Sequence, residues 1–199
     1  MKLLFVNGCI SQRGEESRTL VLARTFLDAW QARHPEAEVE TVEPEALLAL
    51  KPFAPEMLND RDALAGIRCF DAPVYDLARQ FRAADRVVVA APFWDLSFPG
   101  LLKNYIEYIN VSDITFTYVK DQPVGLCYAK RLYYVTTAGG PIFADFGFSY
   151  LEALAKSFYG IPEVVNFAAQ GLDLEGSDVD AILRDAKAEI HKTLCPGKI

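Results

Sequence analysis

The sequence predicts an α/β fold: a doubly wound parallel sheet of about five strands with helices on both faces. Three observations predict it. Short continuous apolar runs recur along the chain, among them KLLFVN, VVVAAP and LYYVTT. Segments with apolar residues at helical spacing lie between them. The two kinds alternate throughout, which implies right-handed crossovers and a parallel sheet.

Residues 2–7 read as a strand buried on both faces, because the run is apolar without alternation. A polar loop, GCISQRGEES, follows. A helix then starts near Ser17 or Arg18, with Leu20, Ala23, Leu27 and Trp30 as its inner face. EVETVE alternates around Val39 and Val42 and suits a strand near an edge. Residues 43–75, with prolines at 44, 52, 55 and 73, read as short helices and loops. Residues 76–86 form a helix with Leu77, Phe81 and Ala84 inward, and 87–92 form the most strand-like run. Ser97 as cap with Pro99 in the first turn starts the next helix. TFTY at 115–118 reads as part of a hairpin, and 132–137 as a buried strand ended by Ala138, Gly139 and Gly140. Helix 146–160, strand 163–169 and helix 177–193 complete the chain, the last with Val179, Ile182, Leu183, Ala186 and Ile190 on one face.

The 199 residues suit one domain, spanning 1–199. Apolar residues make up 51% and charged residues 24%, which rules out disorder as the dominant state. A net charge of −7 argues against nucleic acid or an anionic membrane as partner. Cys9, Cys69, Cys127 and Cys195 form no CxxC pair, so neither a zinc site nor a disulfide framework is expected. The expectation is reduced thiols in a cytoplasm, with no signal peptide and no membrane span. With only His34 and His191, both in polar sequence, a metal site and a Ser-His-Asp triad are not expected.

Ligands of open α/β sheets bind at the carboxyl ends of the strands. Three segments stand there. Residues 8–19 supply Ser11, Arg13, Ser17, Arg18 and Thr19 at a helix N-terminus, a place suited to a monophosphate. The plainer alternative is that Ser17 only caps the helix; Glu15 and Glu16 count against an anion unless they point outward. Neither GxGxxG nor GxxxxGK[ST] is present. In the second segment, APFWDLSFPG, Phe93 and Trp94 either cover the core or lie against a planar ligand. In the third, TTAGGPIF, the glycines either make an ordinary turn or let backbone approach a ligand. The three converging at one sheet edge suit a flavin mononucleotide. Cys9, next to the first loop, reads as a small buried residue. In the helix 98–110, Leu102, Tyr105, Ile106 and Ile109 make an apolar stripe that, with Phe116 and Tyr118, is larger than one domain needs and predicts a dimer interface.

VVVAAPFWDLSFPGLLKNYIEYI, ITFTYVKDQPVGL, KRLYYVTTAGGPI and GFSYL, at their spacing, carry a resemblance. The sequence resembles the flavodoxin-like NAD(P)H-dependent oxidoreductases, the group of quinone reductases and FMN-dependent NADH azoreductases. The resemblance implies a flavodoxin-like fold, bound FMN, NAD(P)H as co-substrate and a homodimer with the flavins near the interface. It implies an enzyme that moves a hydride from NAD(P)H through FMN to a quinone, azo or similar small-molecule acceptor, with no protein side chain as the catalytic group. By position, Ser17 and Thr19 would hold the phosphate, with Ser11 and Arg13 nearby. Pro92, Phe93, Trp94, Asp95 and Leu96 would flank the ring, and Thr137, Ala138, Gly139 and Gly140 would wrap its pyrimidine edge. Trp94, Phe116 and Phe143 would meet the acceptor, Phe116 by reaching toward the partner's flavin.

Three positions depart from the azoreductase pattern. Asp95 stands where Asn is common, Ala138 where an Arg is common, and Pro141 and Ile142 where a His is usual. These changes bear on acceptor specificity more than on flavin binding. Two other readings stay open: a flavodoxin-type electron carrier, and a binding module on this fold that has lost its flavin.

Overall fold

The computed structural model describes residues 1–11, 13 and 16–194; Glu15 and Cys195 lie outside the described residues. Five parallel strands form the sheet: β1 (Lys2–Asn7), β2 (Glu38–Val42), β3 (Arg86–Ala90), β6 (Arg131–Thr137) and β7 (Glu163–Ala169). Their order is β2-β1-β3-β6-β7, so the strand direction of travel reverses beside β1. Between β3 and β6 the chain makes a separate antiparallel hairpin, β4 (Phe116–Val119) and β5 (Gln122–Gly125).

Successive residues of the central strands serve opposite faces, as the pleat requires. Leu3, Phe5, Val88, Ala90, Tyr133 and Val135 pack under α1 (Arg18–Arg33) and α7 (Val179–Leu194). Leu4, Val6, Val87, Val89, Leu132 and Tyr134 pack under α2 (Pro44–Ala49), α4 (Asp76–Ala83), α5 (Gly100–Ile109) and α6 (Phe146–Leu154). The apolar runs are therefore unbroken because both faces are covered. Residues 43–75 hold α2, α3 (Pro55–Gly66) and a short 3₁₀ turn. Of these, α2 buries Leu47, whereas α3 buries no residue.

Four local expectations change. α1 buries Thr19, Leu22, Ala23, Phe26, Ala29 and Trp30, while Leu20 and Leu27 only flank the core, because the helix leans on α7 as well as on the sheet. α4 stops at Ala83, where Ala84 turns extended with ψ 138°. α5 starts at Gly100 with Pro99 as cap, and Ser97 belongs instead to a tight turn with Trp94. The stripe on α5 is not surplus. Leu102, Tyr105, Ile106 and Ile109 are all at most 2% exposed and fill this chain's own core. Phe116 is 6% exposed and is held edge-on by Tyr118 and Phe158.

If α5 is a core helix, Leu102→Ala costs about 2–5 kcal/mol from lost burial and the cavity left behind. Urea unfolding at several protein concentrations checks this. A midpoint loss that vanishes at high concentration would instead return the stripe to an interface.

Candidate cofactor site

The three loops meet in one cavity of about 290 Å³ at the carboxyl edge of the sheet. From the first loop, Ser11, Arg13, Ser17, Arg18 and Thr19 line it. Gly8 makes that loop possible: its amide donates to Ala90 O at 2.7 Å, and a Cβ there would stand 2.9 Å from the same oxygen. Asn7 braces the loop by accepting from the Cys9 amide at 3.1 Å. Ser17 caps α1 by accepting from the Leu20 amide at 3.4 Å. Arg18 and Thr19, in the first turn of α1, both line the cavity, and among the described residues their amides donate to no acceptor. Glu16 is exposed and outside the lining.

Pro92, Phe93 and Trp94 form a second wall. The Phe93 amide donates to Thr137 O at 3.0 Å, which fastens this wall to β6. Trp94 and Ser97 exchange backbone hydrogen bonds of 2.9 and 2.8 Å across a two-residue turn. The central residues, Asp95 and Leu96, have φ of 51° and 65°. The Trp94 amide is thus consumed in the turn, and the exposed Asp95 and Leu96 side chains do not line the cavity. Trp94 does line it while remaining 45% exposed.

Thr137, Ala138 and Gly139 make the third wall. Thr137 and Thr19 share a buried hydroxyl–hydroxyl hydrogen bond of 2.6 Å, joining the first loop to the third. Gly140 lies outside the lining, with its carbonyl accepting from Gly171. Among the described residues neither the Gly139 nor the Gly140 amide donates to an acceptor. Phe143 is 87% exposed and does not line the cavity, and neither does Phe116. Cys9 is buried beside the first loop, and burial pushes its thiol up to about 12, the Ser17 hydroxyl opposing. It is a packed thiol, not a nucleophile.

A family model described as a flavodoxin-like fold matches residues 1–194. The chain belongs to that family. It is 34% identical over 201 residues to an FMN-dependent NADH:quinone oxidoreductase of Coprothermobacter proteolyticus, covering 96% of each chain. It is 31% identical over 199 residues to a protein of the same name from Clostridium beijerinckii, covering 96% of this chain and 97% of that one. Among solved structures, an azoreductase from Bacillus anthracis superposes with TM-score 0.84 at 24% identity, over 99% of this chain and 100% of the other. An FMN-dependent NADH-azoreductase from the same species, in complex with FMN, superposes with TM-score 0.83 at 20% identity, over 98% of each.

The sequence reading of this flavodoxin-like chain missed a fourth contributor. Leu172 and Asp173, from the loop after β7, also line the cavity. The loop is stitched to the third wall: the Leu172 amide donates to Ala138 O at 3.2 Å and the Asp173 amide to Gly139 O at 2.8 Å. The available signal was the general one, a loop following an apolar strand.

The turn at 95–96 stores strain. Paired left-handed residues suit Asx-Gly, and Asp95 fits while Leu96 does not. A left-handed non-glycine costs about 1–2 kcal/mol, against roughly 0.5–1 kcal/mol for glycine's extra freedom when unfolded. Leu96→Gly therefore stabilises the chain by about 0.5–1 kcal/mol in urea unfolding. A destabilised variant would mean that Leu96 holds the turn by packing.

Proposed function

We propose that the chain is an FMN-dependent oxidoreductase that carries reducing equivalents from NAD(P)H to a quinone, azo or similar small acceptor. The observation that carries this is the donor set of the cavity. One end holds Ser11, Arg13 and an open helix N-terminus, suited to a phosphate. The other holds the Gly139 amide, which among the described residues has no partner of its own. An aromatic wall, Phe93 and Trp94, lies between. That combination fits a phosphorylated, flat, carbonyl-edged ligand. The names of the relatives, with FMN, NADH and quinone in them, support the same reading.

When bound, FMN supplies the hydride and electron transfer, and the protein's part is placement. Ser11, Arg13, Ser17 and the Arg18 and Thr19 amides would hold the phosphate. The Thr19 hydroxyl is held in place by its bond to Thr137. The Gly139 amide would donate to the carbonyl edge of the ring, where a fixed donor favours negative charge. Trp94, half-exposed in the lining, would contact the ring or the acceptor. Purified protein should carry or take up FMN, quench its fluorescence, and oxidise NADH in the presence of a quinone. Trp94→Ala should weaken FMN or acceptor binding roughly tenfold, since a lost aromatic contact of about 1.4 kcal/mol is one decade. Protein that neither contains nor binds FMN would end this reading.

The same reading makes the enzyme a cytoplasmic homodimer. Its apolar surface for a second copy is not α5 but the edge beside the 94–97 turn. There Leu96 and Phe146 are exposed and bonded through their backbones at 2.9 Å, and Phe98, Phe146 and Tyr150 line a groove. Cys9, Cys69 and Cys127 are free thiols. Among the described residues no helix is long and apolar enough to cross a membrane. Light scattering at micromolar concentration should give twice the chain mass, and Phe146→Asp should halve it. A monomer in the wild type would refute the dimer.

A further inference from the structure

An ion pair crosses the cavity wall. Arg18 Nη1 donates to Asp173 Oδ1 at 2.6 Å, and both residues line the cavity. The side chains are 28% and 65% exposed, where an ion pair adds little to fold stability. Its position is more informative than its strength. Arg18 opens α1, within the loop assigned to the phosphate. Asp173 is fastened to the loop assigned to the ring edge. Its amide donates to Gly139 O, and its Oδ2 takes the space of a Gly139 Cβ, which would stand only 2.2 Å away. A side chain at Gly139 would have to displace the Asp173 carboxylate that packs there. The pair thus bridges the two ends of the site.

A ligand held by its phosphate at the first loop and by its ring at the third spans the two loops that this pair joins. In FMN that chain is a neutral polyol, and each hydroxyl both donates and accepts. The pair presents the complement side by side. Arg18 keeps N–H groups beyond the one given to Asp173, and the carboxylate keeps free lone pairs. The two charges cancel, so the bridge does not repel a phosphate close by. We infer that the Arg18–Asp173 pair, seated against Gly139, is a polyol subsite that reads the hydroxylated chain of the flavin nucleotide. This rests on the flavin reading above. It adds two residues that select the ligand by its hydroxyls rather than by its ring or phosphate.

The test compares FMN with a synthetic analogue whose ribityl hydroxyls are replaced by hydrogen, ring and phosphate unchanged. Binding is read by quenching of flavin fluorescence on the full chain. The wild type should prefer FMN by tenfold or more, because a site built to pair a hydroxyl rejects a ligand lacking it. Asp173→Ala should shrink that ratio toward one, mainly by weakening FMN, with the flavin-free melting temperature moving by only a few degrees. Arg18→Met removes the guanidinium donors and reads the same ratio from the other half of the pair, should Asp173→Ala not fold. A ratio near one in the wild type, or a ratio unchanged in both variants while the two ligands weaken together, would overturn the subsite and leave the flavin reading standing. A wild type that binds neither ligand would overturn both.

Discussion

The site depends on the overhang of β6. This strand pairs with β3 only through Val135, yet runs on to Thr137, paired with β7 throughout. Its last residues and those just beyond then serve as a backbone template. Val135 O takes the Ala91 amide at 3.1 Å and Thr137 O takes the Phe93 amide, which sets the second wall. The Ala138 amide reaches Ala169 O at 2.8 Å, and the carbonyls of Ala138, Gly139 and Gly140 take the amides of Leu172, Asp173 and Gly171. The Thr137 hydroxyl adds the first turn of α1. Three segments far apart in sequence are fixed by one strand end. These are mostly backbone bonds in a sheet covered on both faces, so breaking one leaves a buried polar group unpaired.

This explains which parts were legible in the sequence. Runs such as Val87–Val89 and Leu132–Val135 announce themselves because both faces of the strand are buried. The rule that ligands sit at carboxyl ends then locates three loops without further information. The loop after β7 was not singled out, because β7 is an edge strand with partly exposed residues and stands far from β1 in the sheet order. Only the overhang brings Leu172 and Asp173 back to the cavity, and overhang is a matter of register, which composition does not encode. The α5 stripe was misread for a related reason. An apolar helix face shows that something covers it, not whether the cover is the helix's own sheet or a second copy. α3 was poorly legible because it buries nothing, so no periodicity is imposed on it.

Hydroxyls and charges follow the same logic. Ser11, Arg13, Ser17 and Thr19 line one cavity, but sequence could not say which contacts each makes within the chain. The 2.6 Å Thr19–Thr137 bond ties the two hydroxyls to each other, and the Arg18–Asp173 bond directs Arg18 along the wall. Each is a long-range contact between a loop and a strand end.

The distribution of titratable groups limits the chemistry the cavity can do by itself. His34 caps α1 and lies against Trp30, in a cleft with Met1, Arg86 and Arg131, where β1, β3 and β6 begin. That is the edge opposite the cavity. His191 sits in the last turn of α7. Burial raises the Cys9 and Cys127 thiols to about 12 and pushes the phenols of Tyr105, Tyr134 and Tyr159 upward, so none of them ionises near neutrality. The charged side chains of the lining are Arg13, Arg18 and Asp173, and the last two are paired. Among the described residues the cavity holds no histidine and no unpaired carboxylate to serve as a general base. Its remaining polar groups are amides and hydroxyls with fixed directions. Such a surface acts by binding and orienting charge rather than by exchanging protons. A protein built this way needs a ligand that brings its own reactivity, and a flavin does.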